Sequence, residues 1–192
     1  MQLEIEKKHN LTKEDYEIIK EKTKFIEEVE IKDYYLDKDL VLAKHNYFLR
    51  LRNGIYELKI SHFDTETGGN YNEEYDNEDE INGKIKKFGI STDNVTGIMF
   101  VDTLREKYEY KFSGQKISID VDKYQYGERY EIEIVVEIDE NQDKLEAGKK
   151  GAELIENFIK EIGLTAESNE DSCKTITCAM HQNIDLYEIM TK

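Results

Sequence analysis

The chain has 192 residues, 38% hydrophobic and 36% charged, with 43 acidic against 27 basic side chains and a net charge of −16. That is enough chain for one well-cored domain or two very small ones, it is too rich in aromatic and β-branched residues for general disorder, and it is too acidic for non-specific binding to nucleic acid or an anionic membrane. No N-terminal apolar stretch reads as a signal peptide and no run is long enough to cross a bilayer, so a soluble cytoplasmic protein is expected.

The first predicted element is a strand over Gln2 to Lys8, set by period-two alternation. Thr12 stands three residues before Asp15, a capping-box-like start for a helix over Lys13 to Phe25. Strands are predicted next over Leu40 to Ala43, Tyr47 to Arg52 and Ile55 to Ser61, the last two joined by the hairpin signal Asn53-Gly54. After the turn signal Gly68-Gly69 comes a strand over Tyr71 to Tyr75, then a weaker helix over Glu78 to Phe88, with Gly83 inside it and Gly89 as its stop. Strands follow over Met99 to Phe112, Lys116 to Asp122 and Arg129 to Ile138, punctuated by Ser113-Gly114 and Gly127.

The clearest helix runs from Asn141 to Ile162: Leu145, Ala152 and Ile159 recur every seven residues, Leu154, Ile155 and Phe158 widen the stripe, and Gly163 ends it. A short helix over Ile184 to Met190 closes the series. Cys173 and Cys178 have neither disulfide-framework nor CxxC spacing and are expected to be reduced. Strands outnumber helices, which predicts a single α+β domain over 1–192, built on one large antiparallel sheet or a closed barrel.

The charged strand faces are sorted by sign. Glu4, Glu6 and Lys8 share one face, Arg50 and Arg52 another, Glu57 and Lys59 a third. Asp120 and Asp122 sit together, as do Glu131 and Glu133, while Leu3, Ile5, Leu49, Leu51, Leu58, Ile60, Ile119, Val121, Ile132, Ile134 and Val136 occupy the opposite faces. Any one such strand reads as half-buried with a wet outer face. As a set they differ: acidic pairs at spacing two repel each other without structural gain, and an arginine pair stands in an acidic chain. Carboxylates converging with cations would make a polar interior that holds a divalent metal and a polyanion. Magnesium takes hard oxygen ligands and shares its coordination with phosphates, and arginine forks match phosphate oxygens. No GxxxxGK[ST] loop is present, so side chains would cradle the phosphates. His9, His45, His62 and His181 lack paired metal spacing and read as surface or supporting groups.

These residues resemble the CYTH superfamily, the triphosphate tunnel metalloenzymes. Glu4-x-Glu6-x-Lys8 looks like the family's N-terminal signature, and FVDTLREKY, DVDKYQYGERYEIE and CKTITCAM follow in the family's order. The stretch DYYLDKDLVLAKHNYFLRLRNGIYELKIS is similar to the thiamine triphosphatase branch. The resemblance implies an α+β fold in which an eight-stranded antiparallel closed β-barrel forms a tunnel with a charged interior, surrounded by helices.

It also implies roles. Glu4, Glu6, Asp120, Glu131 and Glu133 would hold Mg²⁺ or Mn²⁺, with Glu73 or Glu74 as a further acid and Asp122 as a neighbour of Asp120. Lys8, Arg50, Arg52, Lys59, Arg105 and Lys174 would hold the triphosphate, with Lys107 and Lys111 as same-face alternatives to Arg105. Lys8 and Lys59 would be the catalytic cations beside the scissile group, and Phe48 would lie beside the thiamine ring. The implied activity is metal-dependent hydrolysis of a small-molecule triphosphate, thiamine triphosphate first. An inorganic tripolyphosphatase, a class IV adenylate cyclase and a non-enzymatic polyphosphate or nucleotide sensor are the alternatives.

Overall fold

The polar–apolar alternation at the N-terminus becomes β1 (Gln2–Asn10), and Thr12 starts α1 (Lys13–Lys22) by accepting a hydrogen bond from Asp15 N at 3.0 Å. The structure, a computed structural model, describes residues 2–63, 70–137, 144–164 and 173–191. α1 stops short of the predicted Phe25. Thr23 closes the last turn on Ile19 O through its amide at 3.0 Å and its hydroxyl at 2.6 Å, and the chain leaves extended.

It then enters β2 (Lys24–Asp37), a 14-residue strand that alternation did not predict. The predicted strand at Leu40 to Ala43 is instead a turn leading into a 3-10 turn over Ala43–His45. Buried Asp37 is the reason. Its carboxylate accepts from the amides of Lys38, Leu42 and Ala43 at 2.6, 3.0 and 3.0 Å, which takes them from any sheet ladder, and Asp39 and Leu40 adopt φ of 55° and 57°.

The remaining strands are β3 (Tyr47–Arg52), β4 (Ile55–Phe63), β5 (Asn70–Tyr75), β6 (Thr96–Phe112), β7 (Gln115–Tyr124) and β8 (Gly127–Glu137). The Asn53-Gly54 turn has φ of 47° and 88°, which fits its hairpin role. The helices are α2 (Glu78–Ile85), α3 (Lys144–Ile162), α4 (Lys174–Gln182) and α5 (Ile184–Met190). α2 passes into a 3-10 turn over Lys86–Phe88 that Gly89 ends at φ 70°. The Gly68-Gly69 turn, Ile138 and the predicted start of α3 at 141–143 lie outside the described residues, and α4 was not predicted.

The eight strands form an antiparallel sheet whose hydrogen-bonded neighbours follow the order β1-β5-β4-β3-β2-β6-β7-β8, and β1 pairs with β8. No helix among the described residues is long and apolar enough to cross a membrane.

The chain divides into two compact units. The first comprises Met1–Glu30, Phe63–Tyr71 and Leu104–Cys173. Its core lies between the sheet and the helices: Ile5, Ile119, Ile132 and Ile134 pack with Ile155, Phe158 and Ile159 of α3 and Ile19 of α1. Buried Glu106 accepts from Tyr16 at 2.9 Å, Tyr108 at 2.6 Å and Lys123 at 2.7 Å, tying α1 to β6 and β7. The second unit comprises Ile31–His62, Asn72–Thr103 and Lys174–Lys192, and its core gathers Leu42, Leu49, Leu58, Ile60, Ile81, Ile85 and Ile90. The Gln182 side chain pairs with β6 as a strand would, accepting from Phe100 N at 2.9 Å and donating to Phe100 O at 2.7 Å.

Candidate functional site

In the first unit, register turns sequence spacing into rows. β1 faces β8 with Glu6 opposite Glu133, Lys8 opposite Glu131 and Asn10 opposite Arg129. β7 faces β8 with Ser118 opposite Glu133, Asp120 opposite Glu131 and Asp122 opposite Arg129. Directly opposed residues lie side by side on one sheet face. The face therefore carries the rows Glu6–Glu133–Ser118, Lys8–Glu131–Asp120 and Asn10–Arg129–Asp122. The backbone of Glu4 lies opposite Val135; its side chain is outside the described residues.

Cations thread these rows. Lys8 Nζ donates to Glu6 Oε1 and lies 3.6 Å from Glu131 Oε1. Arg105 donates Nε and Nη2 to the two Asp122 oxygens at 2.6 and 2.9 Å, and Nη1 to Asp120 Oδ2 at 2.5 Å. Arg129 donates Nη2 to Glu131 Oε2 at 2.8 Å. Burial would lower the Arg105 guanidinium, but Asp122, Asp120 and Glu131 raise it well above its ordinary range. Burial, with Glu131 and Asp122 nearby, pushes the Asp120 carboxyl up despite Arg105. Of the alternatives to Arg105, Lys107 pairs with Glu27 at 3.0 Å and Lys111 is exposed, so Arg105 is the one bonded to the acidic rows.

The second unit has its own rows. Asp33 lies opposite Arg52, Tyr35 opposite Arg50, Arg50 opposite Glu57 and Phe48 opposite Lys59. Arg52 grips fully buried Asp33 with Nε at 2.7 Å and Nη2 at 2.9 Å. Arg50 donates to Glu57 through Nε at 2.8 Å. Burial alone would raise the Asp33 carboxyl, but the Arg52 hydrogen bonds and the charges of Arg50 and Lys174 hold it below the usual carboxylate range. Lys174, buried at the start of α4, donates Nζ to Thr103 Oγ1 at 3.1 Å. Lys59 pairs with Glu74 at 3.2 Å, whereas Glu73 accepts from Tyr75 and faces His62. Phe48 shares its strand face with Arg50 and Arg52.

Sequence reasoning missed three members of these clusters. Asp33 and Tyr35 sit in the unpredicted β2, and Arg129 precedes Glu131 by two on the same face, a spacing readable in the sequence.

Divalent-metal fit rests on donor chemistry. Glu6, Glu131, Glu133 and Asp120 supply hard oxygens across adjacent rows, and Glu6 and Glu131 already share one cation in Lys8. Among the described residues no three acidic, imidazole or thiolate groups yet converge as a ligand set.

The CYTH domain profile matches residues 2–171. The chain belongs to the CYTH family. Solved structures with the same fold include the Hippeastrum protein HpAC1, described as an adenylyl cyclase candidate with a dominant triphosphatase activity; it is 16% identical with a TM-score of 0.63, over 97% of this chain and 99% of that one. The PH1819 protein of Pyrococcus horikoshii OT3 is 23% identical with a TM-score of 0.58, over 90% of this chain and 96% of that one. A candidate adenylate cyclase from Bacillus halodurans is 15% identical with a TM-score of 0.54, over 89% and 96%. No curated protein matches the chain's sequence. These similarities give the CYTH fold to both units, since the family match spans residues of each.

Proposed function

We propose that this CYTH protein is a metal-dependent hydrolase of a small-molecule triphosphate, with thiamine triphosphate the leading substrate. The observation that carries the reading is the sorting of charge: carboxylate rows on β1, β7 and β8, and an arginine pair with Lys59 on β3 and β4. The strand order supports closure of the eight strands into a tunnel, because β1 neighbours both β5 and β8.

Glu6, Asp120, Glu131 and Glu133, with Glu4, would hold Mg²⁺ or Mn²⁺. Bound there, such an ion would supply Lewis-acid stabilisation of phosphoryl oxygens. Arg50 and Arg52 bind phosphoryl oxygens through planar forks, with Arg105 and Lys174 as further cations. Lys8 and Lys59 neutralise the charge that develops as the terminal phosphoryl group leaves. Glu131 or Glu133 orients the attacking water and accepts its proton. Phe48, beside Lys59 and on the arginine face, offers an aromatic surface to the organic group.

HpAC1, with its dominant triphosphatase activity, supports hydrolysis over cyclisation. The deciding measurement is turnover of thiamine triphosphate, tripolyphosphate and ATP, each with Mg²⁺, with Mn²⁺ and with EDTA. Orthophosphate release, fastest from thiamine triphosphate and abolished by EDTA, is expected. Equal turnover of tripolyphosphate, unaffected by Phe48→Ala, would make it an inorganic tripolyphosphatase. Cyclic AMP with pyrophosphate would make it a cyclase, and tight binding without turnover a sensor. Arg52→Ala is expected to cost on the order of 10²-fold in turnover; near-normal activity would remove that strand from the site.

A further inference from the structure

Arg129 belongs to none of the residue sets expected to bind substrate or metal, yet it is only 4% exposed in the row Asn10–Arg129–Asp122. A buried guanidinium has five N–H donors to satisfy. Nη2 is anchored on Glu131. Nε lies 3.7 Å from Asp122 Oδ2, too far for a hydrogen bond, while Arg105 donates to both Asp122 oxygens. Neither Nε nor Nη1 has an acceptor among the described residues. Glu131 and Asp122 hold the guanidinium charged, so what the position lacks is an acceptor rather than a counter-ion.

The chemistry that fits is an oxyanion with several exposed oxygens. Arginine N–H groups match phosphoryl oxygens in geometry and charge. Anchoring on Glu131 orders the side chain before ligand arrives, which lowers the entropy lost on binding. We propose that Arg129 is a substrate-contacting residue, donating its open N–H groups to phosphoryl oxygens of the bound triphosphate. This rests on the triphosphate reading above and adds to the acidic face of β8 a cation that the family resemblance did not supply. A brace that only positions Glu131 is the competing role, and it would use Nη2 alone.

The test is calorimetric titration of tripolyphosphate into wild type, Arg129→Gln and Arg129→Lys in EDTA, where a brace for a metal-binding carboxylate has no metal to act on. Arg129→Gln is expected to bind roughly 10-fold or more weakly, as loss of hydrogen bonds to a charged group implies. With Mg²⁺ restored, its KM is expected to rise more than its kcat falls. Thermal melts of the free proteins check folding. Should Arg129→Gln not fold, Arg129→Lys carries the test: it keeps the charge and loses the planar donors, and a loss of about 5-fold or more is expected. A folded variant that binds tripolyphosphate as wild type does, while wild type hydrolyses triphosphates, overturns the Arg129 proposal alone. A wild type that neither binds nor hydrolyses any triphosphate overturns the functional reading and this proposal together.

Discussion

At the scale of single residues, spacing two was the readable signal, and partners were not. Arg50 with Arg52 and Glu131 with Glu133 could be picked out because like charges at that spacing have no local benefit. Asp33 could not. It stands in IEEVEIKDYYLD, where acids and tyrosines share the buried positions with isoleucine, so no apolar alternation marks the strand. Its role emerges only when β2 pairs with β3 and sets it opposite Arg52. That pairing makes a pH prediction. An unfolded aspartate titrates near about 4, and folded Asp33 is held lower by Arg52, Arg50 and Lys174 against the opposing effect of burial. Its contribution to stability is therefore fully present above about pH 4 and is lost as pH falls through the depressed value. Asp33→Asn is expected to cost about 2 kcal/mol at pH 7, below the range for breaking a fully buried ion pair because Arg52 keeps contact with water and Glu57. Denaturant melts should show the gap between variant and wild type narrowing as pH falls below about 4. A gap constant with pH would mean that the Asp33 charge is not what Arg52 holds.

Among elements, α3 and its end at Ile162 were legible because seven-residue recurrence survives without tertiary context. α4 was not. KTITCAMHQ is rich in β-branched residues and opens with a lysine, which the positive end of a helix disfavours, so tertiary burial of Lys174 and Cys178 overrides local preference. The family resemblance also implied that the apolar strand faces turn towards helices rather than towards each other, and α3 on β1 and β8 is where this can be tested. A Cβ at Gly151 would come within 2.3 Å of Ile5 Cδ1 and 3.0 Å of Ile134 Cδ1, whereas one at Gly148, in the same helix, meets nothing within 4 Å. Glycine to alanine inside a helix normally gains up to about 1 kcal/mol. Gly148→Ala should show that gain. Gly151→Ala should lose it and more, a net destabilisation of about 1 kcal/mol, because Ile5 is packed at 2% exposure and overfilling a core costs about 1–3 kcal/mol. Chemical melts of the two variants side by side are the measurement. If both gain equally, α3 does not seat against Ile5 and Ile134.

For the whole molecule, sign-sorted charge was visible in the sequence but long-range pairing was not: nothing local announces that residues 2–10 hydrogen-bond to residues 129–137. Family resemblance, rather than periodicity, supplied that expectation. The pairing has a thermodynamic consequence. Lys8 is engaged by Glu6 and Glu131, and Arg105 by Asp120 and Asp122. A divalent ion alone must displace those cations from the carboxylates, and a polyanion alone must draw them away from the same carboxylates. Each exchange leaves one charge type uncompensated, in a chain of net charge −16. On the proposed reading, added together, metal would take the carboxylates while phosphate would take the cations, so binding of the two should be strongly coupled. By linkage, a ligand at 100 times its Kd stabilises the folded state by about 2.7 kcal/mol, which for a chain of this size raises Tm by roughly 5–10 °C. Thermal melts with Mg²⁺ alone, a non-hydrolysable imido-triphosphate alone and both together should show small shifts for each and a shift of that size for the pair. An additive response would mean that the ion pairs of the free protein do not exchange partners, and that the carboxylate rows act independently of the cations threaded through them.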